Sequence, residues 1–296
     1  MSNPKVERAT SVVTGANTGL GRATAHALAR RGDRVVFATR SESATRPAME
    51  AIAADTGNDA LEFLALDLGD LTSVRRAAAE LNARGEPIHV LVANAGVAGQ
   101  RGLTTQGFEL AFGVNHLGHF LFVTELTDLM RASSPAPDGG PARLVVVASG
   151  SHRDAKKGID FTALQHRTAS ITGLPEYAVS KLANVLFAQE VARRVPADEL
   201  FVASLHPGNL IGTDVVRRLP GPLNALFKRV RPSPEVGART SVHLATSPEA
   251  LVPDGAYWSV MEREEPSAVA TPELAAELWV RSEEWVAPFR VADTPA

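Results

Sequence analysis

The chain has 296 residues, of which 45% are hydrophobic and 21% charged, with a formal net charge of −3 and no cysteine. These values belong to an ordinary globular protein and exclude disorder, a fibrous architecture and a strongly basic nucleic-acid surface. The lack of cysteine removes disulfides, thiolate metal sites and cysteine nucleophiles together, and it suits a reducing compartment.

Residues 1–10 are short and polar, which leaves no room for a signal peptide before the first apolar run. No stretch of about eighteen uncharged apolar residues occurs, so a cytoplasmic protein without membrane contact is expected. Short apolar runs predict strands at Ser11–Thr14, Arg34–Thr39, Leu61–Leu66, His89–Ala93, Leu144–Ser149, Phe201–Leu205 and Ala256–Val260. Between them, helical periodicity predicts helices at Leu20–Arg31, Leu71–Arg84, Thr105–Met130, Tyr177–Arg194 and Pro234–Leu244. Alternating strands and helices with right-handed crossovers give an α/β fold: one doubly wound Rossmann-type domain over residues 1–296, with a seven-stranded parallel sheet. Residues 133–141 read as a surface loop, and 207–234, rich in Pro and Gly among apolar residues, as a substrate-binding loop or lid. A helical tail from Thr271 with Trp279 and Trp285 is expected beside the substrate mouth.

After the first strand comes Thr14-Gly15-Ala16-Asn17-Thr18-Gly19-Leu20-Gly21, then an alanine-rich helix. Glycines permit a tight turn and close backbone approach, and a helix N-terminus offers free N–H groups to a pyrophosphate. The same pattern also serves a plain strand-to-helix turn, and only its position in the first unit favours a dinucleotide. The second strand ends Ala38-Thr39-Arg40-Ser41 without an acid, and Arg22 follows the last glycine. Two arginines suit a 2′-phosphate, hence NADP (NADPH), where an acid would suit NAD; otherwise they are solvated surface residues.

Tyr177, one of two tyrosines, precedes Lys181 by four residues, one helical turn on the same face. An ammonium about 4 Å from the phenol, at an effective dielectric of about 20, supplies roughly 4 kcal/mol and moves its pKa toward neutrality before any desolvation cost. Ser149, at the end of the fifth strand, is a candidate hydrogen-bond donor to a substrate oxygen, or a simple turn residue. Asn94-Ala95-Gly96 follows the fourth strand and suits a loop near the cofactor. Asn115, poorly suited to a helix interior and flanked by Gly113 and Gly118, suggests a local backbone role or a bound water. His116 and His119 lack a third ligand at suitable spacing, so no metal is expected. Ser149 with His152 lacks the elbow of a hydrolase triad. Phe108, Phe112, Phe120 and Phe122 read as core or subunit contacts.

In order and over nearly the whole chain, these residues resemble the short-chain dehydrogenase/reductase family. The resemblance implies Ser149 as oxyanion donor, Tyr177 as acid or base, Lys181 as its modulator and a ribose ligand, and Asn115 as holder of a proton-relay water. It also places Gly15, Asn17, Thr18, Gly19, Leu20, Gly21, Arg22, Arg40, Asp67, Leu68, Asn94, Ala95, Gly96, Pro207, Gly208 and Thr213 around the cofactor. The stretches Asn17–Gly21, Val114–Phe120 and Ser180–Asn184 are most similar to the retinol dehydrogenase and protochlorophyllide reductase branch. Two departures stand out: Ser149 and Tyr177 are 28 positions apart, more than is common in the family, and the threonine after Pro207-Gly208 comes late. The expected activity is NADP-dependent hydride transfer, as a carbonyl reductase or alcohol dehydrogenase, with a bulky, apolar ketone, aldehyde or alcohol lining up against Leu210, Val215, Leu219, Leu223, Leu226 and Phe227. The alternative is a catalytically idle NADPH-binding regulatory or scaffold module. Homodimer, homotetramer and monomer all remain open.

Overall fold

A computed structural model describes residues 8–208, 233–251 and 255–290. Its centre is an eight-stranded sheet in the order β3-β2-β1-β4-β5-β6-β7-β8. The strands are β1 (Thr10–Thr14), β2 (Arg34–Thr39), β3 (Leu61–Ala65), β4 (Val90–Ala93), β5 (Ala142–Val147), β6 (Leu200–His206), β7 (Ala256–Ser259) and β8 (Glu262–Glu264). The first seven run parallel, and β8 is antiparallel to β7. Side chains alternate between the two faces of each strand. Val12, Val36, Leu91, Leu144 and Val202 pack under one helical layer, and Val13, Val35, Val92, Val145 and Ala203 under the other.

The eighth strand exists because Val260 and Met261, with φ of 46° and 73°, form a two-residue hairpin turn between Ser259 and Glu262. Such turns need positive φ at both central positions and ordinarily announce themselves through Asn or Gly. Val and Met carry no such signal, so the sequence reading stopped at seven strands.

The helices are α1 (Gly19–Arg31), α2 (Glu42–Thr56), α3 (Leu71–Arg84), the three-residue α4 (Leu110–Phe112), α5 (Gly118–Ala132), α6 (Leu174–Arg194), α7 (Pro234–Thr246) and α8 (Pro272–Val286). Helix α2 escaped the sequence reading because Pro47 interrupts it and only Thr45, Ala48 and Ile52 turn inward. The long helix expected from Thr105 starts at Leu110 instead, where the Glu109 carboxylate accepts the Phe112 N–H. Gly113–Leu117 then form a π-helical turn before α5. The four phenylalanines of this region are core residues.

Helix α8 packs against α6. Trp279 packs on Phe120 at 4.9 Å between ring centroids, and Trp285 on Phe108 at 5.5 Å. The Arg194 guanidinium covers the Trp279 ring at 4.3 Å.

Candidate active site

Strand order reverses between β1 and β4, and ligands of open parallel sheets sit beyond the carboxyl ends of the strands at such a point. The glycine-rich turn lies there. Gly15 and Gly19 hold φ of 67° and 54°. A Cβ on Gly21 would stand 2.4 Å from the Gly15 carbonyl oxygen and 2.5 Å from Asn94 Nδ2, so only glycine fits. Thr18 precedes α1 without a side-chain cap, and no acid occupies the first turn. This cradle, with its helix dipole directed at the turn, fits the pyrophosphate of a dinucleotide. Asn17 and Leu20 are half-buried at its surface, and Thr18, Arg22 and Arg40 are exposed.

Across the switch point, the Thr14 hydroxyl accepts the backbone N–H groups of Asn94 and Ala95, each at 2.9 Å, while Asn94 Nδ2 donates to the Thr14 carbonyl at 2.8 Å. Asp67 Oδ1 accepts the Gly69 N–H at 2.9 Å, and Leu68 is buried with its carbonyl against Gly118. Pro207 and Gly208 follow β6 directly, Gly208 at φ 110°. Thr213 and the six apolar residues expected to line the substrate lie outside the described residues.

Beside the turn, four polar residues converge. Lys181 Nζ donates to the Val147 carbonyl at 2.8 Å and lies 5.7 Å from the centre of the Tyr177 ring. The Ser149 side chain lies close enough to the Tyr177 hydroxyl to favour its deprotonated form. Ser149 sits two residues beyond β5, capping a 3-10 turn (Gly150–Asp154), so the strand ends earlier than the sequence suggested. Asn115 lies in the π-helical turn, where Oδ1 accepts the Val97 N–H and Nδ2 donates to Val97 O and Ser180 Oγ. Ser180 in turn donates to the Tyr177 carbonyl at 2.7 Å. The local backbone role read for Asn115 is therefore real: its side chain ties the loop after β4 to the second turn of α6.

The electrostatics correct one expectation. Burial pushes the Tyr177 phenol above its ordinary value, and the Ser149 side chain offsets only part of that rise. Burial also pushes the Lys181 ammonium down to about 7. Desolvation disfavours the charged form of each group, and here it outweighs the attraction that was expected to acidify the phenol. The two histidines of the π-turn region are neutral as well, His116 held down at about 3 and His119 at about 4 by burial. His119 Nδ1 is 2.9 Å from the Asn115 carbonyl and Nε2 is 2.9 Å from the Thr14 hydroxyl, while His116 Nε2 is 3.0 Å from Ser282 Oγ. No group of three potential metal-binding side chains occurs among the described residues.

Residues 9–221 match the family model described as short chain dehydrogenase. The chain belongs to the short-chain dehydrogenase/reductase family. It falls in the branch of the retinol dehydrogenases: it is 35% identical to retinol dehydrogenase 13 of Homo sapiens over 92% of this chain and 83% of that protein. It is 38% identical to the WW domain-containing oxidoreductase of Gallus gallus over 92% of its own length, and it spans 66% of that relative. An uncharacterized protein of Mycobacterium paratuberculosis has the same fold, with 30% identity, a TM-score of 0.73 and coverage of 97% and 96% of the two chains. A protein of Beutenbergia cavernae described as an NAD(P)-dependent gluconate 5-dehydrogenase, with NADP bound at low occupancy, is 26% identical, with a TM-score of 0.64 and coverage of 85% and 94%.

Sequence reasoning missed three residues of this site. Asn184 donates to the same Val147 carbonyl as Lys181, at 3.1 Å, and Ser180 and His119 carry the links just described. The available signal was spacing: positions 177, 180, 181 and 184 share one helical face, and each is polar within an otherwise buried helix.

Proposed function

We propose that this dehydrogenase moves hydride between NADP(H) and the carbonyl carbon of a bulky, apolar ketone or aldehyde, or the reverse from the alcohol. The observation that carries this reading is the gathering of Ser149, Tyr177 and Lys181 beside a glycine cradle, with the Lys181 amine one turn from the Tyr177 ring. Bound in the crevice, the nicotinamide supplies or accepts the hydride. Tyr177, a phenol whose pKa burial raises further above its ordinary value, holds the proton that a reduced carbonyl oxygen needs. Ser149 lies beside the Tyr177 hydroxyl and is placed to donate to the same oxygen as charge develops there. Lys181 and Asn184 fix the end of β5 through Val147, which sets where Ser149 begins. As a donor near the ribose, Lys181 also favours the deprotonated phenol during oxidation.

The choice of NADP rests on Arg40 at the end of β2, where no acid stands, and on Arg22 after the last glycine. The bound NADP of the B. cavernae protein supports it. An apolar substrate is supported by the name of retinol dehydrogenase 13 and by the apolar composition of residues 209–232. No helix among the described residues is long and apolar enough to cross a membrane.

The test is consumption of NADPH against quinones, aromatic ketones and retinal. Turnover with at least one apolar carbonyl is expected. Tight NADPH binding without turnover across the panel would favour an idle, cofactor-binding module instead.

A further inference from the structure

We propose that His152 is a positioning residue that locks Ser149 in place and couples it to the segment leading into α8; this rests on the reading of Ser149 given above. His152 lies three residues beyond Ser149 in the 3-10 turn and is fully buried. Its Nδ1 is 2.7 Å from the Ser149 carbonyl oxygen, which can only accept, so Nδ1 carries the proton. Its Nε2 is 3.0 Å from the Ser267 backbone nitrogen, which can only donate, so Nε2 is the bare acceptor. One neutral tautomer satisfies both partners, and neither the other tautomer nor the imidazolium does.

Several contacts hold the ring in that orientation. The Tyr257 ring lies 4.8 Å away, with the Arg153 guanidinium 5.7 Å from the Tyr257 centroid. Arg153 also donates to Glu264 at 3.0 Å and to the Glu265 carbonyl at 2.7 Å. The Ser149 carbonyl receives the His152 backbone N–H at 3.1 Å in addition to Nδ1–H. The peptide plane after Ser149 is thus fixed, and the Ser151 N–H, 3.2 Å from Ser149 Oγ, reports directly on the hydroxyl. Residues 265–270 therefore act on the serine through one imidazole. A buried histidine with two directed bonds does more than fill space, since a phenylalanine fills the same volume.

The experiment compares wild type, His152→Phe and His152→Asn by hydrogen-exchange mass spectrometry and steady-state kinetics. Asparagine places an amide N–H where Nδ1 stands and drops the acceptor for Ser267. In His152→Phe, exchange is expected to quicken in both 149–154 and 265–270, and kcat to fall about tenfold or more with the KM for NADPH nearly unchanged, as expected for small misplacements of a reacting group. In His152→Asn, exchange quickens fully at 265–270 and, less than in His152→Phe, at 149–154, and part of kcat returns. If the phenylalanine variant does not fold, the asparagine variant is read by the same two segments. Unchanged exchange at 149–154 in His152→Phe, or quickened exchange with full kcat, overturns the proposal. Should wild type turn over no carbonyl, the hydride-transfer function fails, while the exchange pattern still decides whether His152 couples the two segments.

Discussion

The two walls of the crevice are built from different materials. The dinucleotide side, from Thr14 to Gly21, is backbone: positive φ at two glycines and a close approach at a third leave no room for anything else. The opposite side, from Ser149 to Tyr177 and on to Ser267, is a network of side-chain hydrogen bonds between segments far apart in sequence. A wall made of backbone fails at once when a Cβ is added, because nothing can move aside. One made of side chains loses its bonds singly and degrades by steps.

Substitutions sharpen that contrast, and the largest effect is expected at Gly21. In Gly21→Ala the new methyl meets the Gly15 backbone carbonyl and the Asn94 side-chain amide, which is itself held by the Thr14 carbonyl. Strain of about 3 kcal/mol or more should weaken NADPH binding at least about 100-fold by fluorescence titration. Retained affinity would mean that the turn yields and that the backbone wall is not rigid.

Next comes the buried ammonium of Lys181. Its folded pKa of about 7 lies below the ordinary lysine value of 10.5, so burial penalises the folded state. That penalty is complete below pH 7 and is relieved as pH rises from 7 to 10.5, where the unfolded chain also loses its proton. Relative to wild type, Lys181→Met should therefore be more stable at pH 6 than at pH 10, by up to about 4 kcal/mol in urea unfolding. A pH-independent difference would show that this amine is solvated.

Away from the crevice, Trp279→Ala removes a half-buried indole from Phe120, Phe187 and Arg194 and should cost about 2 kcal/mol with little effect on cofactor affinity. The smallest effect belongs to exposed Arg40. Arg40→Asp should raise the KM for NADPH about tenfold and leave that for NADH nearly unchanged, the loss of one charge-assisted contact. Equal changes in both would remove the argument for NADP.

The backbone wall was legible in the sequence because the glycine-rich turn opens the first strand–helix unit, where a dinucleotide fold carries its phosphate loop. The parallel sheet was legible because apolar runs and helical periods alternate. What escaped depended on particular long-range partners. Helix α2 hid behind Pro47, and the β7–β8 hairpin behind Val260 and Met261. Tyr177 and Lys181 were found at the right spacing, but their ionisation was not, since burial rather than proximity governs it. His152 was considered only as a hydrolase-triad partner and dropped for want of the elbow, and Ser267, 115 residues away, left no local signal of their bond.

The central claim is that the Tyr177 hydroxyl is the proton-transfer group of a carbonyl reductase. It is tested most directly by single-turnover kinetics of Tyr177→Phe, with NADPH affinity measured in parallel. The account predicts a loss of at least about 100-fold in the reduction rate, with the NADPH dissociation constant within about twofold of wild type. Reduction at the wild-type rate by a variant that lacks this hydroxyl would contradict it.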